Sequence, residues 1–391
     1  MPNKVVKAAI GAFGILLFGF SLYSYSQVEP NLVLSNRPFF WQGQQLAWAL
    51  GYSQRFWSSL IFLVIGGGLF LTYGLILKAF TAGHLTTKMM VKILIGASVI
   101  LGLSYPALSH DIFNYLFNAK MVLVYHANPH LRVASDFPAD PWFPYLHNRH
   151  TAAPYAYGWT GLSLLPAALG MGHLKMTMLW FRLFVIGFMV LWLGAIKRLT
   201  PKGHEVWFWA VALNPLVLIE TVGNIHNDVV MMALLMWAII FAKKMNRREW
   251  WWGIVALGLW LLSVSIKYAS VLVLVGVVIQ WGSKLIKKHL SFGGAQAMAH
   301  FLPLLSARSQ RFLAWYLIWP LSFLPLTREK IMRELLLLFS LTSFLAYLPY
   351  LMVGEYTPTG QLMRQIILWV PPLSYGLTTA VVEWRRPKTG I

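Results

Sequence analysis

The 391-residue chain contains no cysteine. That absence excludes a disulfide framework and a thiolate metal site, and assigns no compartment. Acidic side chains are also scarce, with 12 Asp and Glu against 32 Lys and Arg and a formal net charge of +20. Charge of either sign is thin at 11% of residues, whereas 58% are hydrophobic and the mean hydropathy is +0.61. A water-soluble globular domain does not have this balance.

What is present in place of charge is a series of long apolar runs. Residues 5–22, 57–77, 89–108, 179–196, 229–242, 335–351 and 366–382 each approach the length of roughly 20 residues that a helix needs to cross the hydrocarbon core. The first run has no Ala-x-Ala-like cleavage site after it and reads as a retained anchor, not a signal peptide. Most basic residues punctuate these runs, in clusters at Lys4/Lys7, Lys78/Lys88/Lys92, Lys197/Arg198/Lys202, Lys243/Lys244/Arg247/Arg248, Lys284/Lys287/Lys288, Arg328/Lys330/Arg333 and Arg385/Arg386/Lys388. This is the pattern of cytoplasmic loops facing anionic lipid headgroups, and it argues against a nucleic-acid partner.

Taking those clusters as cytoplasmic places 26–55, 109–157, 224–228, 267–268, 307–311 and 354–361 on the other face. Residues 159–172 are short for a full span and read as a broken or re-entrant element, which survives at membrane depth only inside protein or beside a wet cavity. The stretch 250–281 is too long for one crossing and tight for two, so it reads as a hairpin of short helices with Lys267 near its tip. No repeat or low-complexity tract interrupts the chain. The expected fold is a single all-α domain over 1–391, a polytopic transmembrane bundle of about 10 to 12 helices, with the external loop 109–157 carrying interfacial helices.

The four aspartates, Asp111, Asp136, Asp140 and Asp228, all fall on the non-cytoplasmic side of this topology. Asp136 and Asp140 read as loop residues. Asp111 and Asp228 abut apolar runs, where a carboxylate is costly unless paired or used. Helical period over 109–118 puts Asp111, Asn114 and Asn118 on one face and Ile112, Phe113 and Leu116 on another, as in an interfacial helix on the outer leaflet. Between two apolar runs, Glu220, Asn224, His226, Asn227 and Asp228 gather two acids, an imidazole and two amides within nine residues, the composition of a polar cavity. His226 and Asp228 alone are weak grounds for a divalent metal. Lys267, Arg308 and Arg311 form a basic external group suited to a phosphate at the membrane surface, though snorkelling to headgroups is the ordinary use of such residues.

Several of these residues fall into a string that resembles the GT-C superfamily of glycosyltransferases. It runs Ser109-x-Asp111-x-x-x-Tyr115, His126-Ala-Asn128-Pro129-His130, Ala153-Pro-Tyr155-x-Tyr157-Gly158, Asn214-Pro215, Glu220, Asn224-x-His226-Asn227-Asp228, Ile266-Lys267-Tyr268 and Trp315-Tyr-Leu-Ile-Trp319. More narrowly, it is similar to bacterial transferases that use polyprenyl-phosphate hexoses, relatives of mannosyltransferases fed by lipid-phosphate mannose. Two departures are His130, where Tyr is commoner, and the lack of the large soluble domain of some relatives. The resemblance implies a multi-pass enzyme of the cell membrane with its active site on the external face and Asp111 as the acidic residue of the first large external loop. On it, Asp111 is the expected general base and Lys267, Arg308 and Arg311 the donor-phosphate ligands. His110, Tyr115, Asn128, Tyr157, Glu220, Asn224, His226, Asn227 and Asp228 are the expected sugar or acceptor ligands. The implied partners are a polyprenyl-phosphate sugar donor, with mannose the expected hexose, a glycolipid or glycan acceptor and the bilayer, and no cofactor or metal is expected. A transporter or flippase for a lipid-linked sugar is the alternative from another class.

Overall fold

The computed structural model describes residues 2–28, 32–33, 35–305, 313–355 and 357–385. Every regular element among them is helical. In chain order the α-helices are α1 (Asn3–Ser24), α2 (Pro38–Trp48), α3 (Arg55–Thr81), α4 (Thr87–Gly102), α5 (Asp111–Leu123), α6 (Tyr157–Leu169), α7 (Leu174–Leu199), α8 (Glu205–Ala212), α9 (Pro215–Leu218), α10 (Asp228–Lys244), α11 (Trp251–Val264), α12 (Leu272–Leu285), α13 (Phe292–Phe301), α14 (Ile318–Leu321), α15 (Lys330–Leu345), α16 (Leu348–Val353) and α17 (Pro358–Arg385).

Among the described residues, six stretches are long and apolar enough to cross a membrane: Asn3–Gln27, Arg55–Thr81, Leu174–Leu199, Tyr268–Leu285, Lys330–Val353 and Pro358–Val382. Glu205–Ala212 and Pro215–Gly223, bent by 45°, make a seventh if they form one span. Ile15, Leu71, Val190, Val278 and Leu377 on these stretches are exposed, an apolar exterior that suits hydrocarbon and not water. The all-helical polytopic bundle expected from the sequence is present. Other apolar runs fall in the shorter helices α4, α6, α10 and α11, of 16, 13, 17 and 14 residues.

Helix α10 is the hub. It is apolar on all sides and buried for most of its length, as such a helix must be, between α7, α11 and α14. Its first turn carries Asp228 and its last turn Lys243 and Lys244, roughly 25 Å apart at 1.5 Å per residue. The same order, acid at the N-terminus and base at the C-terminus, suits the helix dipole. Lys197 and Arg198 close α7, and Lys284 closes α12. Residues 250–281 form the expected hairpin, α11 and α12 joined through Lys267 and a 3-10 turn.

Helix α6 is the short element expected near 159–172. It ends at a turn where Met171 and Gly172 take φ of 47° and 75°, and it returns along α7, with Trp159 against Phe181. Helix α5 keeps the predicted polar face, but its apolar side, Ile112 and Leu116 included, is fully covered. That cover is protein, since α5 packs on α6 and α7.

The loop over 124–156 is held down by an aspartate that the sequence reads as an ordinary loop residue. Asp140 is almost wholly buried. Its Oδ2 lies 2.6 Å from Lys120 Nζ and accepts a hydrogen bond from Tyr125 OH at 2.6 Å, while Oδ1 accepts from the Trp142 amide at 2.7 Å. Burial opposes the charge, but the Lys120, Tyr125 and Trp142 donors together hold the carboxyl below its ordinary range. Asp136 behaves as the sequence suggests, pairing with Arg132 in its own exposed turn at 2.6 Å. Asp140→Ala, which strands a largely buried ammonium, is expected to cost about 3–5 kcal/mol, read as a drop in melting temperature in detergent. Because the Asp140 pKa is depressed by folding, the parent should lose part of its stability as pH falls through and below the ordinary carboxylate range.

Candidate active site

The Asn214-Pro215 dipeptide breaks the chain between α8 and α9. Asn214 Oδ1 caps the new helix by accepting from the amides of Leu216 and Val217 at 3.0 and 3.4 Å, and Pro215 occupies the first turn, where its missing N–H is no loss. The helix then widens into a π turn over Ile219–Gly223. Ile225 follows with φ of 62°, a left-handed conformation that costs a β-branched residue about 1–3 kcal/mol. Arg182 fastens the turn from α7, donating to the carbonyls of Gly102, Ser104 and Gly223 at 2.5, 2.7 and 3.3 Å. The outcome is a chain that carries Glu220, His226, Asn227 and Asp228 inward, each with no exposed surface.

Three carboxylates meet here in different circumstances. Asp228 Oδ2 is 2.7 Å from Lys267 Nζ, and its Oδ1 accepts from Trp319 Nε1 at 2.6 Å. The Lys267 ammonium also lies 5.1 Å from the Tyr155 ring centre and 5.4 Å from that of Tyr316. Glu220 accepts from Asn224 Nδ2 at 2.9 Å and from Tyr347 OH at 2.7 Å. Asp111 Oδ2 accepts from Tyr155 OH at 2.7 Å, and Tyr115 OH follows at 3.4 Å from Tyr155 OH. Burial, then Tyr115 and Asp111, push the Tyr155 phenol well above its ordinary value, so it stays protonated and donates. The Asp111 side chain is 21% exposed, whereas those of Glu220 and Asp228 are 0%.

The open edge of Asp111 faces a cleft lined by Asn114, Asn118, Asn148, Thr151 and Tyr155. Its volume is about 40 Å³, space for about one or two waters. Neutral amides and hydroxyls around a carboxylate can bind a polyol and remove a proton from it. Among the described residues, no three acidic or imidazole side chains are grouped to hold a metal.

Asp111, Tyr115, Glu220, Asn224, His226, Asp228 and Lys267 are thus brought together. Asn128 and Tyr157 are not with them: Asn128 donates to Tyr157 OH at 3.2 Å, and both line a second, wider cleft of about 530 Å³. His110 stacks on His147 with ring centres 4.1 Å apart. Asn227 is buried with neither amide atom hydrogen-bonded among the described residues. Arg308 and Arg311 lie outside the described residues. The sequence reading gave no role to Tyr155, Arg182, Asn148, Thr151, Trp319 or Tyr347. Tyr155 and Trp319 stood inside recognised strings, and a polar residue in an apolar run was the available signal for Arg182.

An accessible carboxylate among amides and hydroxyls, set in a membrane bundle, is chemistry that a membrane-embedded glycosyltransferase can use, and similarity to known proteins points to the same class. The chain belongs to the alpha-(1->6)-mannopyranosyltransferase family, matching that family's N-terminal-domain model over residues 9–283. No curated protein and no solved structure matches it. Trp315, Tyr316, Trp319 and Tyr347 come from beyond the matched region, so the site is completed by chain that the family model does not cover.

The Asp228 pair gives a direct test of how the site is held. Lys267→Met, which leaves a buried carboxylate without its cation, should cost about 3–5 kcal/mol. Adding Asp228→Leu should recover most of that loss. Melting curves of the parent, both single variants and the double variant check this.

Proposed function

We propose that this chain transfers a mannose from a polyprenyl-phosphate donor to a hydroxyl of a glycolipid or glycan acceptor, on the external face of the cell membrane and with inversion. The observation that carries the reading is that Asp111 alone of the three carboxylates has an open edge. A general base must come within hydrogen-bond reach of the hydroxyl it deprotonates, and Glu220 and Asp228 are sealed and occupied. The acceptor O–H bond breaks toward Asp111, the new O–C1 bond forms, and the C1–O bond to phosphate breaks with its electron pair leaving on the phosphate. Tyr155 keeps Asp111 oriented by donating to Oδ2.

Departure of the phosphate builds negative charge, and Lys267, partly exposed beside Tyr155, is the cation placed to meet it; Arg308 and Arg311 are proposed for the same task from their sequence positions. Asn114, Asn118, Asn148 and Thr151 would take sugar or acceptor hydroxyls. Glu220, Asn224 and Asp228 brace the site from behind. The external placement is supported by the basic far end of α10, which the positive-inside rule assigns to the cytoplasm.

The α product in the family's description, formed by one displacement, requires a β-linked donor. Purified chain given β-mannosyl-phosphoryl-polyprenol and octyl α-mannoside should yield an α-linked dimannoside, identified by mass and NMR; transfer from GDP-mannose alone would overturn the donor assignment. Asp111→Asn should lower turnover by about 100-fold or more with an unchanged melting curve, and retained turnover would remove the base assignment. Because the chain has no other cysteine, Asp136→Cys should react with an impermeant maleimide on intact cells. Labelling only after lysis would reverse the topology.

A further inference from the structure

The three carboxylates leave one buried titratable side chain without a task. The His226 ring lies between two of them, with Nε2 3.3 Å from Glu220 Oε2 and Nδ1 3.9 Å from Asp111 Oδ2. It has no exposed surface, and neither nitrogen makes an aligned hydrogen bond among the described residues. The ring is clamped face to face on Trp315, centres 3.8 Å apart and planes 19° apart. The residue before it, Ile225, is the left-handed one. Backbone strain and unsatisfied buried nitrogens at one point are retained where they serve a purpose.

Both Glu220 oxygens accept, Oε1 from Tyr347 and Oε2 from Asn224, so the tautomer that suits this neighbour carries its N–H on Nε2 and turns the Nδ1 lone pair toward Asp111. Two acceptors, Nδ1 and Asp111 Oδ2, then face each other across 3.9 Å. We propose that His226 is a positioning residue that takes from Asp111 the proton surrendered by the acceptor hydroxyl. The Asp111 O–H bond breaks, the Nδ1–H bond forms, and the imidazolium sits between Glu220 and the restored Asp111 carboxylate. The Trp315 face favours that cation further. The neighbouring Asp228–Lys267 pair balances itself, and Tyr115 and Tyr155 remain neutral donors. The proton returns through Asp111 to water when product leaves the cleft.

This inference rests on Asp111 as the base. It is tested on the purified full chain with β-mannosyl-phosphoryl-polyprenol and octyl α-mannoside. His226→Phe keeps the stack on Trp315, and His226→Gln keeps an N–H donor for Glu220, but neither can hold a proton. Both should melt as the parent does, with acceptor KM unchanged and kcat lowered about 100-fold. Glu220→Gln, which removes the balancing charge and keeps the shape, should lower kcat about 10-fold. Parental kcat in either His226 variant, or a raised KM at parental kcat, overturns the proposal, provided Asp111→Asn is inactive. An active Asp111→Asn overturns the base reading and this inference together.

Discussion

A single ion pair in a dry place, Asp228 with Lys267, orders the rest of the site. Asp228 opens α10, Lys267 lies between α11 and α12, and Trp319, the second donor to Asp228, belongs to α14. One carboxylate therefore ties the start of α10 to the α11–α12 hairpin that follows it and to α14, 91 residues away. An ionised group without water must be fully paired, and satisfying that requirement fixes the mutual positions of these helices more narrowly than apolar contact would. The constraint continues outward. Lys267 seats the ring of Tyr155, and Tyr155 holds Asp111, so the orientation of the exposed carboxylate descends from the buried one.

Much of the frame was legible in the sequence because two signals in it are local. Apolar runs announce helices, and basic clusters mark their ends, which is why the 250–281 hairpin and the short 159–172 element were readable. The polar face of α5 was readable for the same reason, since helical period alone puts Asp111, Asn114 and Asn118 together. Period does not say whether the opposite face meets lipid or protein, because both are apolar solvents for Ile112 and Leu116. The structure covers that face with α6 and α7.

The remaining parts were not legible because they are set by pairing across the chain. Nothing near Asp140 distinguishes it from Asp136, yet Lys120 and Tyr125 draw it inside and leave the other in an exposed turn. Tyr347 reaches Glu220 across 127 residues, and no spacing rule anticipates such a partner. Glu220, Asn224, His226 and Asp228 were recognised as a group, but which of them stay open to a ligand depends on donors supplied from elsewhere. Tertiary context separated Asp111 from its neighbours.

The volume beside Asp111, about 40 Å³, is well below the roughly 300 Å³ at which small-molecule pockets begin. For the hexose acceptor proposed above, entry would require α5 and the chain around Asn148 and Tyr155 to part, and some of its binding energy would go into that movement. Each additional sugar unit gripping the rim would help to keep the gap open. A preference for longer acceptors would then arise from the mechanics of entry, with no residue needed to measure their length.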